Sequence, residues 1–380
     1  MQGLRWAGFA FGIVFIAVTG LSLVVSLIVP RRLASRPSRM VERLVRRGFL
    51  FMANRLKSYE AKDRVLAFEA PTALLVVMVT WLFLFLVGYG LMLWPFTGHF
   101  WEAMRESGSS LLTLGFAAHA TPEATVIGFM AATTGLVVVA LLIAYLPALY
   151  SAFNRRETLV TVLQSRAGAP AWGTEILIRH KTVDLLGSLP AFYRDWELWA
   201  ADVAESHANY SILVRFRSPH PLRSWILGLL AVMDSAALYL ALSPQRAPAE
   251  ARLCLRMGFY CLRDVAEAIG LPFDPDPFPD DPIELTYEEF LGAVRKLEEA
   301  DFPIEVPAEE AWPHFCGWRV NYEAIAYSIA NWVVAPPGPW SGERDHLPGM
   351  AILPQSPVNR RPGDRNPGNE PKVDNPRWRA

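Results

Sequence analysis

Cysteine is scarce: the 380-residue chain holds three, Cys254, Cys261 and Cys316. That excludes a small secreted scaffold stapled by disulfides. Net charge is almost nil, with 36 basic side chains against 37 acidic ones, so overall charge indicates no partner. No Gly-x-Gly-x-x-Gly follows a strand pattern, which removes the main signature of a dinucleotide-binding regulator. His180, His207, His220, His314 and His346 are scattered without metal-ligand spacing, and no nucleophile or acid–base set converges. The sequence is therefore not read as an enzyme. Collagen-like, coiled-coil and wholly disordered compositions are also missing. Neither a nucleic-acid partner nor a resident cofactor is expected.

What the chain has in quantity is apolar surface. Hydrophobic residues make up 52% of the sequence, and the mean hydropathy is +0.21. Three stretches carry no charge: Trp6–Pro30, Ala70–Trp101 and Ala124–Asn154. Each exceeds the roughly 20 residues that carry a helix across about 30 Å of hydrocarbon. The first is preceded only by Arg5 and lacks a small-x-small site, so it reads as a retained span rather than a cleaved leader.

Between the first two spans, residues 31–64 hold eleven basic and three acidic side chains, a net charge of +8. Short basic loops stay on the cytoplasmic side. Arg155 and Arg156 close the third span with the same sign. The expected layout is an outer N-terminus, residues 31–69 inside, 96–125 outside, and everything after 155 in the cytoplasm, all in a plasma membrane. Within the basic loop, Val41, Leu44, Val45, Phe49, Met52 and Leu56 recur at helical spacing. Arg43, Arg46, Arg47 and Arg55 fall on other faces, which predicts an interfacial helix whose arginines meet anionic membrane lipid. An ordinary topogenic loop is the plainer alternative.

The segment joining the second and third spans is too apolar for a solvated loop. Phe100, Trp101, Met104, Leu111 and Leu112 suit a short packed helix, and Ser107, Ser109 and Ser110 lead into Thr113-Leu114-Gly115-Phe116-Ala117. A span, a short helix, a Thr-x-Gly-aromatic strand and another span together resemble the pore domain of the potassium channel family, over about residues 71–154. The resemblance implies a homotetramer, because one pore loop cannot enclose an axis. It also implies passive conduction of monovalent cations, potassium first. The carbonyls of Thr113, Leu114, Gly115, Phe116 and Ala117 would form the filter, replacing the hydration oxygens of the ion. Ala117 and Ala118 depart from the family's second glycine and its usual Asp. A left-handed conformation at Ala117 would cost roughly 1–2 kcal/mol. A pore fold that has lost conduction and acts as a membrane receptor or scaffold is the rival expectation.

Gly135 and Pro147 in the third span are candidate gating positions, a bend competing with simple close packing at Gly135. No span carries arginines at three-residue spacing, so no voltage sensor is expected. The first span is expected to pack against the outside of the pore module.

The remainder reads as an all-α cytoplasmic domain over 155–335. Helical periodicity marks Trp172–Leu186, Ala191–His207, Pro221–Leu242, Ala249–Ile269, Tyr287–Ala300 and Ala308–Trp332. Ile212–Arg217 could form a short strand, but one strand without partners makes no sheet. Trp225–Leu242 is apolar enough to span, but Asp234 lies in its middle, which favours a buried core helix. Cys254 and Cys261 share a helix face as small core residues. Residues 264–310 hold fifteen acidic and two basic side chains. The proline-stiffened run with Asp274, Asp276, Asp280 and Asp281 reads as a solvated connection, with docking on the basic loop a further expectation. Residues 336–380, with ten prolines and five glycines, read as a disordered tail. The expected division is thus 1–30, 31–69, 70–154, 155–335 and 336–380.

Overall fold

The computed structural model describes residues 2–27, 36–118 and 120–342. The end of the first apolar stretch (28–30) and the tail from 343 lie outside the described residues. Within them the chain is all-helical, with no strand. Four stretches are long and apolar enough to cross a membrane: Gln2–Leu27, Tyr59–Phe96, Pro122–Ala167 and Trp225–Leu242.

The N-terminal half contains α1 (Gln2–Leu27), α2 (Arg36–Asn54), α3 (Tyr59–Leu66), α4 (Glu69–Leu93), α5 (Phe100–Leu111) and α6 (Pro122–Ala167). Helix α1 lies antiparallel along α4. Glycines bring the two backbones together: a Cβ on Gly12 would stand 2.6 Å from the Gly88 carbonyl oxygen. Small residues are what permit such contacts between apolar helices. Polar ties fix the register at both ends. Arg5 Nη2 donates to the Gly98 carbonyl at 2.9 Å, and Trp81 Nε1 donates to Ser22 Oγ at 3.2 Å.

Helix α6 begins under a Thr121 cap, with Pro122 in its first turn, where a missing N–H costs nothing. It runs unbroken for 46 residues, or about 69 Å. The charge-free stretch ends at Asn154, and the helix continues beyond it, with the Arg156 side chain wholly buried and paired with Glu157 at 2.8 Å.

The C-terminal half packs α7 (Gly173–Thr182), α8 (Leu189–Asn209), α9 (Trp225–Leu242), α10 (Ala249–Ile269), α11 (Tyr287–Glu299), α12 (Ala308–Arg319) and α13 (Glu323–Trp332) around one core. Every residue of α9 is buried in protein, wrapped by α7, α10, α12 and α13. This agrees with the core-helix reading. Asp234 is held by Arg319 and accepts a hydrogen bond from the Tyr322 hydroxyl at 2.8 Å. Buried charge survives only when paired in this way.

Three expectations change here. Ile212–Arg217 forms a 3₁₀ turn (Ser211–Arg215) rather than a strand. Ala308–Trp332 is two helices, broken at Val320–Tyr322, so that Arg319 and Tyr322 both reach Asp234. The tail does not start at 336. Trp340 is 3% exposed, packs on Trp172 and Phe315, and its carbonyl accepts from Arg319 Nη2 at 3.0 Å. The acidic run is largely exposed, as a solvated connection should be, and its backbone turns on its own carboxylates, the Asp276 N–H donating to Asp274 and the Phe278 N–H to Asp281. Among the described residues no ion pair joins Asp274, Asp276, Asp280 or Asp281 to α2.

Candidate functional site

Two constructions in the N-terminal half stand out: the loop after α5, and a charge lattice where this half meets the other.

Helix α5 doubles back beside α4. The thioether sulfur of Met104 lies over Gly90, where a Cβ would stand 2.5 Å from it. Further along α5, Ser107 Oγ donates to the Leu86 carbonyl at 2.8 Å. As numbers rise on α5 they fall on α4, so the short helix descends along its neighbour. Its C-terminal end meets α6: a Cβ on Gly135 would lie 1.9 Å from the Leu111 carbonyl oxygen. Gly135 is thirteen residues into α6, about 20 Å from its start. The close-packing alternative at Gly135 is therefore the one the geometry displays. Tyr89 and Thr134 bind α4 to α6 at the same level, hydroxyl to hydroxyl at 2.6 Å.

From Leu111 the chain returns toward α6 through the candidate filter. Thr113 has φ of 54° and Gly115 has φ of 72°, whereas Ala117 adopts no positive φ. The strain expected at Ala117 thus falls on Thr113 instead. Alternating left- and right-handed residues gather N–H groups on one side. Here that side faces Ser109. Its carbonyl accepts from Leu114 N–H at 2.8 Å and Gly115 N–H at 3.4 Å, and its hydroxyl accepts from Ala117 N–H at 3.0 Å. Among the described residues, the carbonyls of Thr113, Leu114, Gly115 and Phe116 accept no hydrogen bond. Leu114 and Phe116 are 61% and 56% exposed, and the Arg105 guanidinium lies 5.7 Å from the Phe116 ring. Ser109 was legible in the sequence only as one of several small hydroxyl residues. Nothing there marked it as the anchor.

The other gating candidate, Pro147, sits inside α6, which continues through it. Lacking an N–H, it leaves the Ile143 carbonyl without its helical donor.

The arginines of α2 divide. Arg43, Arg47 and Arg55 are exposed beside Met40, Leu44 and Phe51, and Arg55 lies over the Phe51 ring at 4.2 Å. Arg46 does not belong with them, which corrects the lipid-facing assignment. It turns inward, pairs with Glu69 at 3.2 Å, covers the Trp332 ring at 3.9 Å and donates to the Trp332 carbonyl. Arg215 bridges Glu42 and Glu69. Arg217 pairs with Asp63 and donates to the Val333 and Val334 carbonyls at 2.7 and 2.8 Å. Cations thus converge on the carbonyl end of α13, where the helix dipole favours them. The sequence signals were a lone Glu69 at the start of an apolar run and the Arg215-Phe-Arg217 pair.

Arg156 is a second tie. It donates to the Leu213 and Phe216 carbonyls at 2.8 and 2.7 Å, and its Nη1 stands 3.1 Å from His207 Nε2. A guanidinium only donates, so Nε2 accepts and the ring proton sits on Nδ1. Burial, reinforced by Arg156, holds His207 well below the usual histidine value. Burial likewise pushes the Cys254 and Cys261 thiols up, and Cys316 to about 11, which disfavours the reactive thiolate in each. No group of three metal-ligating side chains is found among the described residues. The chain matches no protein-family model, and neither curated proteins nor solved structures yield a match.

Proposed function

We propose that the chain is one subunit of a homotetrameric cation channel that conducts passively, with potassium its expected ion. Helices α4 and α6 would span the membrane, α5 would be the re-entrant pore helix, and residues 113–117 would line the axis. The observation that carries this reading is the Ser109 anchor. Three N–H groups of the returning strand point back at one residue, which frees the opposite carbonyls for an ion.

Irregular backbone at mid-membrane depth is tolerable only against protein or a wet cavity. In one chain Thr113, Leu114, Gly115 and Phe116 are exposed, so further copies are needed to cover them. Helix α6 supports this. Its packed residues form one stripe through Ala124, Ala131, Gly135 and Val138, while Phe129, Leu136, Val137 and Ile143 face outward. The basic α2 favours the orientation with the C-terminal half in the cytoplasm. There the Arg46, Arg215 and Arg217 ties would pass movement of that half to α4.

Purified chain in liposomes should pass potassium or rubidium down a gradient. Ser109→Ala, which removes the hydroxyl under Ala117, should reduce or redistribute that flux with the tetramer intact. A well-folded tetramer that passes no cation under any condition would defeat the channel reading and favour the receptor.

A further inference from the structure

A cavity of about 140 Å³ lies where α1, α2, α4 and α6 meet the C-terminal half. Its walls are mainly apolar and come from α4 and α6, with Trp81 at one side. Polar side chains also line it: Ser26, Ser38, Glu42, Tyr145, Asn209 and Tyr210. Leu75 and Leu146 also line it, and both are more than 40% exposed. The cavity is thus continuous with the outward apolar surface of α4 and α6.

The chemistry of these polar groups narrows the occupant. Glu42 is already neutralised by Arg215, and Asn209 donates to Glu205 at 2.8 Å. Among the described residues that line the cavity, no uncompensated charge is left to recognise an ionic head. The Tyr145 hydroxyl, by contrast, has no hydrogen-bond partner among the described residues, although its ring packs on Tyr210 at 5.5 Å. A space this size holds about one benzene-sized group, which is a head or a short chain segment rather than a whole lipid.

We propose that this cavity binds a neutral, single-chain lipid bearing a hydroxyl head. The head enters between Leu75 and Leu146 to meet Tyr145, and the chain stays outside along the apolar rim. The site rests on reading α4 and α6 as membrane spans and does not depend on conduction. It adjoins Pro147, and it touches residues 208–212 of the other half. An occupant there sets the spacing of α4 and α6 beside the proline.

The test uses the full chain in nanodiscs with a long-chain alcohol carrying a diazirine near its hydroxyl end. Photolabelling should concentrate on residues 73–78 and 142–146 and be displaced by unlabelled alcohol. It should exceed labelling of the equally apolar outer face of α1. Tyr145→Phe should lower alcohol labelling roughly fivefold, the worth of one hydrogen bond, and leave an alkane probe of the same length unchanged. Leu146→Trp should block entry for both probes. If that variant disturbs assembly, competition on the native chain decides alone. Uniform labelling of all outward apolar surface, or no response to Tyr145→Phe, would overturn the site. Flux plays no part in the readout, so a silent channel still tests it.

Discussion

At the scale of single residues, Gly135 and Ser109 define the loop more sharply than the filter letters do. Gly135→Ala forces a methyl into the Leu111 carbonyl. Overpacking of this kind costs about 1–3 kcal/mol, and here it should appear as a lowered melting temperature with α5 displaced. A bend-forming glycine would instead alter opening with little change in melting. Ala117→Gly should leave melting nearly unchanged, because Ala117 holds no left-handed conformation to relieve. His207 gives a pH signature. Its folded value is depressed by burial and then by Arg156, so the unfolded chain binds the proton first as pH falls. Stability is therefore complete above the ordinary histidine value of about 6.5 and declines below it, by up to about 1.4 kcal/mol per pH unit. His180, also depressed by burial, adds in the same direction. His207→Gln should flatten part of the acid-side decline in melting temperature while changing little near neutrality.

Among the elements, periodicity was an adequate guide wherever local pattern and packing agreed. Ala249–Ile269 forms as read, with Gly270 in the left-handed conformation ending it, as a C-terminal glycine should. The reading was less complete where a distant partner decided. Arg155 and Arg156 close the charge-free stretch, and α6 runs on past them with Arg156 buried. Arg156→Met should therefore cost about 3–5 kcal/mol, since it strands Glu157 and two carbonyls in the interior. Differential scanning of the purified chain would measure it. The break between α12 and α13 was equally illegible, because no Gly or Pro lies at 320–322, and Arg319 and Tyr322 meet Asp234 from far along the chain. On α2 the amphipathic pattern was legible. Which arginine turned inward was not, because Glu69 and Trp332 are 23 and 286 residues away from Arg46.

For the whole molecule, the two halves are joined by charge as much as by chain. Residues 336–342 illustrate how composition misleads at this scale. Proline and glycine content marked them as tail, while one aromatic, Trp340, anchors them under Arg319 and Tyr327. Trp340→Ala should lower the stability of the C-terminal half by about 3–5 kcal/mol, which proteolytic stability of the purified variant would measure. Finally, α6 carries the Gly135 contact, Pro147 and the Arg156 clamp on one uninterrupted helix. Mechanically that is a lever with a single weak point and no slack. A push on the far end arrives at the loop undiminished unless it is absorbed at Pro147, so stiffening that one turn with Pro147→Ala should make the loop and the C-terminal half move as one.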